Sequence, residues 1–328
     1  MAGPVAAQQP GGGSAVIFSY QRFGEADVPL TSVSIAQLEA HIAELTSGKY
    51  RVMPLETIID DLAAGRPLPD RAIAITIDDG VRSAWREAWP RLRAAKLPFT
   101  LFVTTDMIGE KGGRNLGWDQ IREMLAGGGV SIGHHSAAHA HMPFTDEAAN
   151  RQDIARALVR FEKELGMRPA LFAYPYGEFG RRERDMIADM GFKAAFGHHS
   201  GVVHAGEDRF ALPRFTMNMK YAEMDRFRLA ANAIALPVTD ISPAEWLLTR
   251  ENNPPAFGFT VDPAVKWLDQ LRCYASNQDA PLKMERLGET RIEVRMTKSF
   301  SRGTGRINCT MPAGGGRWRW LGQGYVIP

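Results

Sequence analysis

Two short segments concentrate the side chains able to do chemistry. Ile73-Ala74-Ile75-Thr76-Ile77-Asp78-Asp79-Gly80 is an apolar, β-branched run that stops on two acids and a glycine. In parallel α/β folds reactive groups gather at the carboxyl ends of strands, because the loops there form the open rim of a site. Successive side chains at a strand end point in different directions, which leaves Asp78 and Asp79 free to do different jobs. The plainer alternative has Asp79 capping the next helix and Asp78 solvated. The second segment, Gly133-His134-His135-Ser136-Ala137-Ala138-His139-Ala140-His141, again follows a short strand, Val130-Ser131-Ile132. His135 and His139 are its one pair four apart, and on a helical turn that spacing sets both imidazoles on one face, within reach of a single metal ion. Zinc accepts imidazole and carboxylate together, and a fourth position left open to water marks a catalytic site. A solvated histidine-rich stretch is the alternative, most of all for His134 and His141. His-x-x-x-His is weak evidence alone; joined to a carboxylate at another strand end it becomes a three-ligand set, Asp79, His135 and His139.

These residues need a frame of alternating strands and helices, and the chain supplies one. Strands are expected at Ala15–Tyr20, Tyr50–Leu55, Ile73–Ile77, Phe99–Val103, Val130–Gly133, Ala170–Ala173 and Phe192–Phe196. Helical periodicity lies between them, near residues 35–45, 56–64, 83–96, 118–126, 146–165 and 181–190, with Ser34 as N-cap of the first. Repeated strand–helix units imply parallel strands with helical crossovers, and about seven strands favour a closed barrel over an open sheet. After Pro243 the texture changes to alternating segments punctuated by glycine and proline: Arg291–Met296, Arg306–Thr310 and Trp318–Leu321. That predicts a small antiparallel β domain. The expected division is a 1–14 N-terminal flexible segment, a 15–250 barrel and a 251–328 β-rich domain, with the boundary in Asn252-Asn253-Pro254-Pro255.

The 328 residues carry 39 basic and 37 acidic side chains, a formal net charge of +2, with no block of like charge. This balance excludes a dedicated nucleic-acid binder. No apolar run reaches the roughly 18–20 residues of a membrane-spanning helix. Two cysteines rule out a disulfide scaffold and an all-cysteine zinc site; Cys273 and Cys309 are able to pair in an oxidising compartment. Residues 2–7, Ala-Gly-Pro-Val-Ala-Ala, resemble the small-residue end of a signal peptide, although no basic or long apolar stretch precedes them. A periplasmic or secreted protein is one expectation; a cytoplasmic tail is the other. Seven of the eight histidines fall in two clusters, and the eighth, His41, is expected on a helix surface.

Three motifs together resemble a known family. Thr76-Ile77-Asp78-Asp79-Gly80 resembles the Thr-Phe-Asp-Asp-Gly motif of the polysaccharide deacetylases (carbohydrate esterase family 4, the NodB homology domain). His135-Ser136-Ala137-Ala138-His139 is similar to their His-Ser/Thr-x-x-His motif, and Ala173-Tyr174-Pro175-Tyr176-Gly177 stands where their Arg-x-Pro-Tyr-Gly segment falls. The resemblance covers residues 15–237. The Tyr-Pro-Tyr-Gly-Glu variant and Tyr20-Gln21-Arg22-Phe23-Gly24 are similar to the poly-β-1,6-N-acetylglucosamine deacetylase branch. The resemblance implies a distorted (β/α)7 barrel and one divalent ion, zinc first, with cobalt, manganese or nickel as alternatives. It makes Asp79, His135 and His139 the ligands, Asp78 the general base, and the Tyr176 N–H an oxyanion donor. Tyr174, Pro175 and Tyr176 are then expected at the substrate. The implied partner is an N-acetylated glycan that loses acetate by amide hydrolysis. Such a glycan, being neutral, needs no basic groove.

The chain departs from the family pattern at three places. The arginine of the third motif is Ala173; Arg214, in Leu212-Pro213-Arg214-Phe215, is the expected substitute, because a buried aspartate base needs a cationic partner. The late histidine motif that supplies a general acid is missing, and His199 is the candidate replacement, ahead of His198. Gln21 sits where relatives often carry histidine. These departures keep open a second function class, a non-catalytic carbohydrate-binding protein on a degenerate barrel. In the β domain, Trp318 and Trp320 share a strand face and are expected either to stack on sugar or to pack in the core or against the barrel.

Overall fold

The computed structural model describes residues 13–109 and 113–328, so most of the expected N-terminal segment lies outside the described residues. Six parallel strands lie side by side in chain order: β1 (Ser14–Tyr20), β2 (Ala72–Ile77), β3 (Phe99–Val103), β4 (Val130–His134), β5 (Leu171–Ala173) and β6 (Ala194–Phe196). Ile17, Phe18, Ile73, Ala74, Ile77, Leu101 and Phe102 are fully buried, as expected of strands covered on both faces. The ring closes through β7 (Phe215–Thr216), which pairs in parallel with Phe18 and Ser19 of β1. Just before it, Leu212 bridges Phe196 of β6, also in parallel. This is the distorted seven-stranded barrel that the repeat of strands and helices predicts.

The seventh place is filled differently from the expectation. Of Tyr50–Leu55 only Arg51 and Val52 are extended, and they pair with Ala72 and Ile73 at the start of β2. Leu55 already opens a helix, Leu55–Ala63, behind Pro54, which has no N–H to donate to a ladder. The strand that closes the ring, within residues 212–216, is interrupted by Pro213 and turned by Arg214, so it carries no alternating pattern. Between β6 and β7 there is no helix; Val203–His204 folds back antiparallel onto Ser14 and Ala15 instead.

The helices begin where their caps dictate. Ser34 and Gln37 form a reciprocal capping box at the start of Ile35–Leu45. Asp146 accepts from the amides of Ala148 and Ala149 to start Glu147–Leu165, and Gly166 ends that helix in the left-handed conformation.

After a last helix, Met224–Ala231, the chain builds two four-stranded sheets around a core that includes Phe257, Phe259, Leu271, Ile292 and Ile307. Val238–Ser242 already belongs to the second sheet, paired with Phe257–Val261, and Asn252–Pro255 lies in the connection between those two strands. Cys273 and Cys309 face each other across neighbouring strands and form a disulfide.

The β domain packs directly on the barrel. Trp320 meets Phe215 of β7 edge to face at 5.1 Å, and Arg317 binds Asp70 at 2.6 Å and the Asn232 carbonyl at 2.8 Å. At Gly322 a Cβ would fall 1.6 Å from the Ser200 carbonyl oxygen, so only glycine permits this approach. Trp320 is thus an interface residue, while Trp318 is 37% exposed.

His41 is not on the surface. It is 1% exposed, stacked on Phe227 at 3.9 Å, beside the Tyr20 hydroxyl (2.9 Å) and the Ala222 carbonyl (2.7 Å). The Ile35–Leu45 helix turns this position towards the last helix, Met224–Ala231, a neighbour that helical periodicity cannot reveal. Burial pushes its pKa down to about 4 against a weaker opposing pull from the Ala222 carbonyl. The unfolded chain therefore binds this proton first, and stability falls as pH drops from about 6.5 to about 4, by up to ~3 kcal/mol for a shift of this size. In urea denaturation at pH 7, 5.5 and 4.5, His41→Gln is expected to flatten that slope while lowering stability at pH 7 by ~1–2 kcal/mol.

Candidate active site

Asp78 and Asp79 leave the end of β2 in different directions because Asp79 has left-handed backbone (φ 74°). Asp78 turns into the barrel mouth, where it is only 3% exposed. Arg214, fully buried, grips it with both ends of its guanidinium: Nη1 to Oδ1 at 2.8 Å and Nη2 to Oδ2 at 3.0 Å. The same guanidinium donates to Thr76 Oγ1 (3.1 Å) and the Gly197 carbonyl (3.1 Å), so its orientation is set by three parts of the barrel. Ser19 donates to Asp78 from β1 at 3.1 Å. Burial opposes ionisation of Asp78, but the Arg214 charge, with help from His198, outweighs it and holds the carboxyl well below the usual carboxylate range.

Asp79 points instead towards His135 and His139. Its Oδ1 lies 3.3 Å from His135 Nε2 and 3.4 Å from His139 Nε2, and the two imidazole nitrogens are 3.1 Å apart. Four ligands at ~2.1 Å from a tetrahedral ion stand ~3.4 Å from one another, so this donor triangle has the size and chemistry to hold a zinc-like ion with one position open. The three residues form a candidate metal-ligand cluster. His135 Nδ1 lies 2.7 Å from the Ala173 carbonyl, which fixes the ring with Nε2 towards the cluster. Gln21 donates from its side-chain amide to Asp79 Oδ2, the oxygen turned away from the histidines.

The two histidines do not converge by sharing a helical turn. Ser136 (φ 64°) and His139 (φ 56°) are both left-handed, and the segment is a tight loop closed by the His139 N–H donating to Ser136 Oγ at 2.9 Å. His134 braces it from below, accepting from the Ser136 amide at 3.0 Å within a shell of Phe161, Phe172 and Phe192. Asp153 accepts the amides of Ala137 (2.8 Å) and Ala138 (3.0 Å). Among the described residues, Asp79, Ser136, His139 and Tyr176 are half of the eight non-glycine residues with positive φ, and such clustering is what a functional site leads one to expect.

A cavity of about 390 Å³ joins these groups, with Asp78, Asp79, His135, His139, Tyr176 and His198 on its wall. His198, rather than His199, reaches the acids: its Nε2 lies 3.0 Å from Asp78 Oδ2. Gly177 (φ 71°) makes room for it, since a Cβ there would lie 2.5 Å from the His198 backbone nitrogen. His199 is turned towards Phe179 and Gly324, and burial, with the nearby Arg306 charge, pushes it down to about 4. Both lie in the bend that follows β6, and of the two only His198 lines the cavity with the acids.

Tyr174 and Pro175 do not reach the cavity either. Tyr174 is buried against Phe179 (4.5 Å) and donates its hydroxyl to the Phe210 carbonyl, and Pro175 is buried at the start of the turn. Tyr176 does reach it, stacked flat on His141 at 3.9 Å and beside His139 at 4.4 Å. His141 in turn pairs with Glu178, 2.6 Å away. Sequence reasoning missed this prop and ranked His199 ahead of His198, and no local signal separates the two in the bend after β6. Arg214 holds Asp78 and is sealed from the cavity, which makes it a positioning residue rather than a substrate contact.

Residues 65–195 match the family model described as polysaccharide deacetylase. A putative polysaccharide deacetylase of Bacillus subtilis, YxkH, is 22% identical over 178 residues, which are 54% of this chain and 63% of that protein. The chain thus spans less than two thirds of that relative's length. The poly-β-1,6-N-acetyl-D-glucosamine N-deacetylase of Staphylococcus aureus (strain MRSA252) is 25% identical over 198 residues, covering 57% of this chain and 68% of that protein. Among solved structures, IcaB from Ammonifex degensii superposes with a TM-score of 0.60 at 25% identity, covering 67% of this chain and 97% of that one.

Arg214→Met leaves Asp78 buried without its cation, a change expected to cost ~3–5 kcal/mol of stability. In the protein that still folds, the acid limb of the pH–activity profile is expected to move to higher pH, because burial then acts on Asp78 with less opposition. Arg214→Lys should restore part of the shift. An unchanged turnover and profile in Arg214→Met would show that Asp78 does not depend on this pair.

Proposed function

We propose that this chain is a metal-dependent hydrolase that removes acetyl groups from the N-acetylhexosamine units of a polysaccharide or oligosaccharide, releasing acetate. The observation that carries this reading is the pairing, on one cavity wall, of a three-donor cluster with a separate carboxylate held ionised by a buried arginine. Asp79, His135 and His139 would hold the ion; their nitrogen and oxygen donors suit zinc first, with cobalt, manganese or nickel as alternatives. When bound, such an ion supplies Lewis acidity to the amide carbonyl and lowers the pKa of a water towards ~7.

The chain's own groups do the rest. Asp78 accepts a proton from the attacking water, and Arg214 keeps it in the form able to do so. The Tyr176 N–H is assigned to the oxyanion that develops as the carbonyl carbon becomes tetrahedral. His198, hydrogen-bonded to Asp78, is the candidate to hand a proton to the departing nitrogen. A carbon–oxygen bond forms, the carbon–nitrogen bond breaks, and acetate and a free sugar amine leave. The disulfide between Cys273 and Cys309 supports an oxidising compartment, hence a periplasmic or secreted site of action. Poly-β-1,6-N-acetyl-D-glucosamine is a substrate to test first, since the Staphylococcus aureus relative carries that name.

The alternative of a binding protein draws on Ala173, Gln21 and the missing late motif. The Arg214 pair with Asp78 and the His198 contact with Asp78 support the enzyme over it. Zinc-loaded protein is expected to retain about one ion per chain and to release acetate from an N-acetylglucosamine oligomer; absence of both, after zinc or cobalt loading, favours the binder. His135→Ala should lose metal and activity together. His198→Ala should lower kcat by ~10²–10⁴ and alter the pH profile, whereas His199→Ala should stay within a few-fold per folded molecule.

A further inference from the structure

One aromatic side chain beside the site faces water from a turn pinned by hydrogen bonds. Phe144 is 50% exposed, at the end of the short turn Met142–Phe144 that follows the histidine loop. Asn150 donates from Nδ2 to the Met142 carbonyl at 2.9 Å, and Arg182 donates to the carbonyls of Thr145 (2.7 Å) and Met142 (3.2 Å). The Phe144 N–H closes the turn on the His141 carbonyl at 3.0 Å. Met142 and Pro143 are buried, so the backbone that carries the ring is anchored while the ring itself is left open.

Phe144 ends a row of rings that starts at the metal-donor cluster. From His139 the row passes to Tyr176 at 4.4 Å, on to His141 at 3.9 Å and on to Phe144 at 6.3 Å, between ring centres. Tyr176 and Glu178 line the catalytic cavity, and Glu178 Oε2 lies 2.6 Å from His141 Nδ1, which fixes the middle ring. Tyr176 is itself 43% exposed. The row thus leads from the reacting position out to the open surface, with polar atoms of Tyr176, His141 and Glu178 set among the ring faces.

A pyranose has the matching surface, a face of C–H groups that packs on a ring and an edge of hydroxyls that need hydrogen-bond partners. A lipid surface would call for a continuous apolar patch flanked by lysine or arginine. The residues that follow the turn are instead Asp146 and Glu147, and Arg182 is spent on Glu183 (2.6 Å) and on the carbonyls of the turn. A ring already held in place loses little freedom on binding, so its contact area is converted to affinity efficiently.

We propose that Phe144 is the stacking residue of an outer sugar subsite, so that the protein grips a chain of sugars running from the donor cluster past Tyr176 and His141 to this ring. The proposal rests on the deacetylase reading for the place of the reacting unit. It deepens that reading by making an oligomer or polymer, held beyond the unit that loses acetate, the preferred substrate over a single N-acetylated sugar.

The test compares β-1,6-linked N-acetylglucosamine hexasaccharide with the disaccharide, using the zinc-loaded full chain. The hexasaccharide should have the higher kcat/KM for acetate release. Phe144→Ala should lower the hexasaccharide-to-disaccharide ratio about five- to tenfold, as loss of a half-buried phenylalanine surface predicts. Phe144→Trp should keep the ratio, and Phe144→Leu, apolar but without a ring, should recover less than half of it. A ratio unchanged in Phe144→Ala, or fully restored by Phe144→Leu, overturns the stacking subsite.

Calorimetry separates this from the deacetylase reading. The matching glucose oligomers have no acetamide to hydrolyse, and the hexasaccharide should bind the wild type more tightly than the disaccharide, an advantage lost in Phe144→Ala. Binding that does not grow with length, or grows equally in Phe144→Ala, overturns the subsite even if acetate is released. Sedimentation with phosphatidylglycerol vesicles that depends on Phe144, with neither glycan ratio altered, assigns the ring to a lipid surface and overturns it too. Acetate release from neither acetylated oligomer overturns the catalytic reading, and the calorimetric difference then still decides the subsite.

Discussion

A carboxylate kept charged away from water sets the terms for the rest of this molecule. Asp78 is nearly sealed, and removing an ion of that kind from solvent costs several kcal/mol unless a partner compensates. Arg214 is that partner, and it is more deeply buried than the group it serves. Its guanidinium makes four hydrogen bonds, two to Asp78, one to Thr76 of β2 and one to the Gly197 carbonyl just after β6. The residue sits within the broken strand that closes the barrel between Leu212 and Phe215. Barrel closure and the electrostatics of the site are therefore one arrangement, and disturbing either disturbs the other.

Around this pair the cavity is built from loops held in costly backbone conformations. Asp79, Ser136, His139 and Tyr176 each adopt a left-handed conformation, of a kind that costs on the order of 1–3 kcal/mol and persists only where neighbours over-determine it. Here the neighbours are visible. His134 and Asp153 hold the histidine loop by its amides, and Gly177 leaves the space that lets His198 approach Asp78. The outcome is two carboxylates one residue apart with separate surroundings. One sits in a guanidinium clamp, the other in a triangle of metal donors, which is the division a base and a ligand require.

The β domain is part of this design rather than an attachment. It meets the barrel through Trp320, Arg317 and the close contact of Gly322 with Ser200, and it completes one wall of the cavity with Thr304 and Arg306. A barrel without it would keep the donor cluster and Asp78 but would present a different mouth.

Much of this was legible in the amino-acid order, and the limits have physical reasons. The strand–helix repeat, the β-branched runs of β1 to β4, the caps at Ser34 and Asp146, and the acids and histidines at two strand ends are all local properties. Local periodicity and residue chemistry therefore sufficed for the fold class and for the candidate donors Asp79, His135 and His139, while Arg214 as the partner of Asp78 came from the family resemblance. Contacts between distant segments were not legible. The choice of His198 over His199, the burial of Tyr174 and His41, and the seventh strand behind Pro213 each depend on which elements pack together. A side chain's type is written in the chain, but a neighbour 120 residues away, as His198 is to Asp78, exists only once the barrel has closed.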